Sequence, residues 1–480
     1  MTTRFTDSYE RTKQDAALVL QNTGWAQQEL EKLQRDVVPQ FPSHWDMAAF
    51  FQQAYQQGIA ETIRRLVDDN SDPEFFEFLA GELKQRSAQE LFVGTYDILV
   101  QQSAASIVRR LEEWCTNLMN DEVKTFTTRD VEPDTDADGQ YSMHGAVILA
   151  QIINQHAEFA LQCADRAVFV QVVIESVDVL LRMQTRWINV LDTEFVRSTT
   201  EPDIPGGLME YADALANDQI RSADFVSAFQ SRHASRLSTD LLAARFAQLR
   251  AGYTTVAHHC TRLVVQLIMH DVSSAAKSLF NSAWADGAGS LPQILETARD
   301  YLDECAVTLH PTFFNQLARE TLNETLIAYL HRLIRAKKLK IPRAVELVRG
   351  DVERIRQRFA SWIPREELEH RMEVMDHIVG ILGISKNLVF LEFWRFAKVH
   401  GPNLGFVEAL LKTRDDLDWM DVSKIMQSLK KKLEAEPIVD GECSHFVFGG
   451  QRSNMLVDGT SVVKRVKLPR TLLAPRAASS

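Results

Sequence analysis

Breakers are scarce in this chain: 20 glycines and 14 prolines in 480 residues, about 7% together, against roughly 12% in average proteins. So few leave little material for the turns of an all-β fold or for loops that cradle phosphate. Cysteine is also sparse. The five (Cys115, Cys163, Cys260, Cys305, Cys443) stand far apart with no CxxC pair, which excludes a zinc ribbon or a disulfide scaffold and fits a reducing compartment. No long apolar run exists. The most apolar window, Ala167 to Leu181, is broken by Gln171, Glu175 and Asp178, too short and too interrupted to span a bilayer. The opening MTTRFTDSYERTK has no apolar stretch, so no secretory signal is expected and the protein should be cytoplasmic. Positive charge is in deficit, with a net charge of −12, and a broadly acidic chain is a poor partner for nucleic acid.

Catalytic motifs are missing too. There is no GxSxG, GxxxxGK[ST], GxGxxG or HExxH, so hydrolase, nucleotide and zinc-protease readings lack their anchors. No enzyme activity, cofactor or metal is expected. The nearest approach to a metal motif is Asp134-x-Asp136-x-Asp138-Gly139, half of a calcium loop, but Gly145 stands where the bidentate Glu belongs. An acidic, flexible loop over Thr127 to Ser142 is the expectation. His370 and His377 lie two turns apart around Glu373, and His258, His259 and Cys260 are adjacent. Neither group has ligand spacing, and both read as surface or core-edge residues.

What the chain does have is helical periodicity. Val170, Val173, Ile174, Val177, Leu180 and Leu181 fall at steps of three and four, as do Leu322, Leu326, Tyr329, Leu330, Leu333 and Ile334. Val345, Val348, Val352, Ile355, Phe359 and Trp362 form a third stripe, and Leu368, Met372, Met375, Val379 and Leu382 a fourth. Each stripe needs a neighbouring helix to cover it. The expected fold is all-α: an elongated rod of stacked antiparallel helical bundles with a short non-helical C-terminal tail. The expected division is an N-terminal helical segment over 1–126, a middle bundle over 143–285, a C-terminal bundle over 291–436, and a tail over 437–480. The tail is expected to be partly β-like or disordered, with a weak hairpin signal at Asp458-Gly459.

Charge is unevenly spread. From Arg332 to Arg358 there are ten basic and three acidic residues. Lys337, Lys338, Lys340, Arg343, Arg354 and Arg358 are the candidate docking patch for an acidic protein face or anionic lipid. The bland alternative is a solvated loop with long, snorkelling side chains.

Five segments in order then resemble the exocyst "Sec-six" family, also called exocyst complex component three. They are Trp114 to Phe126; Ala150 to Trp187 with Asn154-Gln155 and Gln184-x-x-Trp187; Tyr211 to Phe229 with Ala214-x-x-Asn217-Asp218; Leu309 to Ile341 with His310-Pro311-x-Phe313-Phe314; and Ala344 to Phe359 with Asp351. The resemblance implies a non-enzymatic helical-rod subunit of the complex that tethers secretory vesicles at the plasma membrane before fusion. It implies the other exocyst subunits as partners, the "Sec-eight" subunit especially, with plasma-membrane SNARE proteins and recruitment to sites of secretion. The alternative is a rod-like adaptor for phosphoinositides or small GTPases, similar to the tumour-necrosis-factor-alpha-induced protein 2 group.

Overall fold

The structure is a computed structural model that describes residues 2–12, 18–19, 23–69, 73–86, 92, 94–162, 166–237, 240–438 and 462–469. Cys163, Cys443 and the Asp458-Gly459 signal lie outside these residues. In chain order the helices are α1 (Thr2–Thr12), α2 (Gly24–Asp36), α3 (Met47–Asp69), α4 (Pro73–Arg86), α5 (Thr95–Thr128), α6 (Gly145–Gln162), α7 (Arg166–Thr200), α8 (Leu208–Arg232) and α9 (Asp240–Asp271). There follow α10 (Ser273–Lys277), α11 (Ser282–Ala285), α12 (Leu291–Thr308), α13 (Pro311–Leu333), α14 (Arg343–Phe359), α15 (Arg365–Gly383), α16 (Val389–His400), α17 (Leu404–Thr413), α18 (Trp419–Ala435) and α19 (Val462–Arg465). The sheet among the described residues is one pair, β1 (Asp134–Thr135) and β2 (Tyr141–Ser142). The fold is all-α, as expected.

Two compact units emerge. One takes Met1–Val131, Ser142–Leu191 and Asp218–Ala257; the other takes Glu132–Tyr141, Asp192–Asn217 and His258–Ser480. This grouping by contact differs in kind from a division by chain order. In the first unit α3 packs on α5 and α5 on α6. Its core includes Leu30, Ile59, Ile63, Leu111 and Phe169, all fully buried, and the rings of Phe5, Trp25 and Tyr55 meet edge-on or tilted.

The second unit pairs consecutive helices: α12 with α13, α14 with α15, α15 with α16, and α17 with α18. Short turns between such neighbours favour antiparallel packing. Local chemistry marks the helix starts. Pro311 occupies the first turn of α13, where its missing N–H costs nothing. Asn403 and Asp418 accept the Phe406 and Asp421 backbone N–H groups to cap α17 and α18. The stripes are buried as their spacing requires. Leu322, Leu326 and Leu330 are fully covered on α13, as are Met372, Met375 and Leu382 on α15, each such side chain contributing roughly 1.5–3 kcal/mol.

The stripe of α14 ends differently from expectation. Phe359 is fully buried, but Trp362 lies beyond the helix, only half-buried, with its indole Nε1 donating to Asp303 at 3.1 Å. An amphipathic ring with one polar edge settles at the core margin. Phe359→Ala should therefore cost about 3–5 kcal/mol, read as a shift in the urea midpoint, while Trp362→Ala costs less. Equal effects would contradict this placement.

Two further expectations need correcting. The acidic stretch read as a flexible loop is an anchored hairpin. Asp136 Oδ1 accepts the N–H groups of Asp138 and Gln140 at 2.9 Å each, Gly139 supplies a left-handed φ of 78°, and Tyr141 and Ser142 are buried. A short polar turn with an Asx acceptor and a glycine specifies its own geometry. The tail is also not β-like where it is described: Val462–Arg465 is the helical turn α19, packed on α13.

Candidate docking surface

The Ala214-x-x-Asn217-Asp218 motif, the most distinctive in the sequence, lies on α8 and is buried throughout. Asn217 Nδ2 donates to the Tyr141 and Thr308 carbonyls at 2.9 and 2.8 Å, and its Oδ1 accepts the His310 N–H at 2.8 Å. It thereby holds the β2 strand and the α12–α13 turn. Asp213 accepts from the Thr308 hydroxyl at 2.9 Å, and burial pushes its carboxyl up to about 7. Asp218 accepts from Ser142 at 3.0 Å and Arg221 at 2.9 Å. Every partner is a structural group. A buried side chain with all its polar capacity used is a clamp, not an exposed ligand site.

The basic candidates sit around the α13–α14 connection. Leu339 forms a parallel bridge with Arg414: its N–H donates to the Thr413 carbonyl at 2.7 Å, and Asp415 N–H donates to the Leu339 carbonyl at 3.1 Å. Ile341 N–H reaches Asp415 Oδ1 at 3.0 Å. With Leu339 buried and its backbone paired, the segment is pinned to the α17–α18 turn, not a free solvated loop.

That pinning sorts the six residues. Lys338, at a left-handed φ of 41°, turns its Nζ onto the Arg414 and Leu417 carbonyls at 3.2 and 3.1 Å. Arg343 Nε donates to the Ala285 carbonyl at 3.2 Å, Arg354 pairs with Asp351 at 2.8 Å, and Arg358 pairs with Glu296. Lys337 and Lys340 are exposed, and their ammonium groups have no intramolecular partner among the described residues. The six are therefore not one free patch but four tethered cations and two free ones.

Sequence reasoning missed Arg414 altogether. It is 1% exposed, donates from Nη1 to the Ile381 and Ile384 carbonyls at 3.1 and 2.8 Å, and grips Asp416 with Nε and Nη2 at 2.9 and 2.7 Å. The signal available was Arg-x-Asp spacing alone, which many exposed turns share. Asp351 stood out in the sequence only as part of the fifth family-like segment; it is buried on α14 and accepts from Trp284 Nε1 at 2.8 Å and Tyr329 OH at 2.9 Å.

Among the histidines, His377 and His400 lie with ring centroids 5.6 Å apart, and His400 is buried. Burial first, then the neighbouring His377, holds the His400 imidazole down at about 4. A depressed histidine gives stability that is complete above its unfolded value of 6.5 and is lost as pH falls toward 4. Between pH 7 and pH 5 the His400 share of this loss is about 2 kcal/mol. Urea midpoints should fall over that range in wild type and fall less in His400→Phe; parallel slopes would refute the assignment.

Comparison with known proteins follows the same line. The family model described as Exocyst complex component Sec6 matches residues 1–80 and 84–419. The chain is 25% identical over 414 residues to exocyst complex component sec6 of Schizosaccharomyces pombe, covering 81% of this chain and 54% of that protein. It is 24% identical over 457 residues to exocyst complex component SEC6 of Saccharomyces cerevisiae, covering 86% and 56%. It thus spans about half the length of the curated relatives it matches. The crystal structure of the C-terminal domain of the exocyst subunit Sec6p shares its fold, with a TM-score of 0.65 at 22% identity over 74% of this chain and 98% of that one. No helix among the described residues is long and apolar enough to cross a membrane. The chain belongs to the exocyst complex component Sec6 family.

Proposed function

We propose that this chain is a non-enzymatic subunit of the exocyst, tethering secretory vesicles at the plasma membrane before fusion. The family match across residues 1–80 and 84–419 carries the reading. The buried motif on α8 agrees with it, since its distinctive residues are spent on holding helices rather than on a reaction centre. The partners are the other exocyst subunits, the "Sec-eight" subunit foremost, with SNARE proteins or anionic lipid at the target membrane. The decisive experiment is affinity capture of the tagged chain from lysate of its own source, followed by mass spectrometry. Recovery of the remaining exocyst subunits together is the expected result. Capture of none of them would overturn the proposal.

Within that function, Lys337 and Lys340 are the residues of the basic candidate set left to contact a partner. Lys337→Glu with Lys340→Glu should leave folding unchanged, because exposed charges contribute little to stability. It should slow association with the captured complex at low salt. The difference should fade as the screening length shrinks to about 10 Å near 0.1 M salt. Equal association rates at low ionic strength would remove these two lysines from the interface.

A further inference from the structure

The tail segment 462–469 lies beyond the residues that match the family model, yet it is seated closely. Val463 and Val466 are 1% and 5% exposed. A helix of four residues has no stability of its own, so its shape comes from the surface it packs on, which is α13. Three contacts define the seat beyond the two valines. Arg465 pairs with Glu324 and stands 4.0 Å from Glu320, both on α13. Arg335 Nη2 donates to the Lys467 carbonyl at 2.6 Å. Leu468 lies over Gly405 on α17, where a Cβ would come within 2.8 Å of its Cδ1. The lack of a side chain at Gly405 makes room for the leucine.

These are the elements of helix-in-groove recognition: apolar anchors at i and i+3, with a charged residue facing complementary charges on the groove wall. We propose that the groove on α13 and α17 is a recognition site for a short basic-apolar segment of a partner protein, and that residues 462–468 occupy it in cis. The acidic wall formed by Glu320 and Glu324 selects for an arginine beside the anchors, and Gly405 admits a bulky aliphatic residue after them. Covalent attachment gives the tail a high effective concentration, so a partner in solution competes poorly until the tail leaves. This inference stands apart from the exocyst reading: it concerns a seat visible in the chain itself.

The test uses the full chain and a fluorescein-labelled peptide of residues 461–470 (SVVKRVKLPR). The groove is opened by V463D together with R465E in the chain. Fluorescence anisotropy should show the peptide binding at least about tenfold more tightly to the opened chain than to wild type, and a scrambled peptide of equal charge should not bind. Arg465→Glu alone should give the same order with a smaller step, which keeps the result independent of any folding defect in the double variant. Adding Glu324→Arg to the opened chain should weaken the wild-type peptide and strengthen one carrying Arg465→Glu. Equal binding by wild-type and opened chains, no binding by either opened form, or indifference to the Glu324 swap would each overturn the proposal.

Discussion

Arg414→Ala should destabilise the second unit by about 2–5 kcal/mol, because it leaves two carbonyls without donors at roughly 1–3 kcal/mol each and empties the space of a fully buried side chain. The guanidinium is fully enclosed, and two of its hydrogen bonds end on backbone carbonyls with few other options. Ile381 belongs to the last turn of α15, where carbonyls have no partner within the helix, and a cation there also opposes the negative end of the helix dipole. Truncation would leave these carbonyls without donors, while the Asp416 carboxylate, 43% exposed, would be taken up by water. Arg414→Lys should recover only part of the loss, because an ammonium cannot form the planar fork that meets both oxygens of Asp416. The hydrogen bonds from Arg414, more than any other influence, hold Asp416 below its usual 3.8. The stability Asp416 carries is therefore complete above 3.8 and is lost as pH falls through the depressed value. Urea titrations of the three proteins test this. An alanine variant within about 1 kcal/mol of wild type would mean that the arginine is solvated and not structural.

Asp351→Ala should be comparably severe, about 3–5 kcal/mol, for a related reason. One carboxylate on α14 gathers the Trp284 indole and the Tyr329 hydroxyl on Oδ2 and Arg354 on Oδ1. Phe280 packs on both rings, with centroids 4.7 and 4.9 Å away, so water has poor access to the stranded donors. Burial, with Asp351 beside it, keeps the Tyr329 hydroxyl protonated far above the normal range. Asp351→Asn retains one acceptor oxygen and should cost less. A double-mutant cycle with Tyr329→Phe isolates the shared bond: the paired loss should fall short of the sum of the single losses by 0.5 kcal/mol or more, within the range of about 0.5–3 kcal/mol for groups in one network. Strict additivity would show that the two side chains do not interact.

These two residues mark where sequence reading reached its limit. The α13, α14 and α15 stripes were legible because apolar spacing is a local signal, complete within one helix. Trp362 was misjudged because its spacing continues the stripe while the helix stops at Phe359. The acidic hairpin was misjudged because composition suggested solvent, whereas the turn is closed by its own Asp136 and Gly139. The basic patch was half-legible: the excess of positive charge was plain, but its distribution between tethered and free residues was not.

The sequence by itself determined the helical class, the apolar faces that must be covered and, through five ordered segments, the family. Each of these rests on relations between residues a few positions apart or on their order along the chain. Tertiary structure alone decided which charges remain available. Lys338 meets carbonyls more than seventy residues away, Asn217 meets His310 across ninety-three, and Arg465 meets Glu324 across one hundred and forty-one. A buried polar group must find a partner wherever the packed chain supplies one, and no local pattern encodes that choice. Lys337 and Lys340 are free, and Arg414 is not, because of where other helices lie.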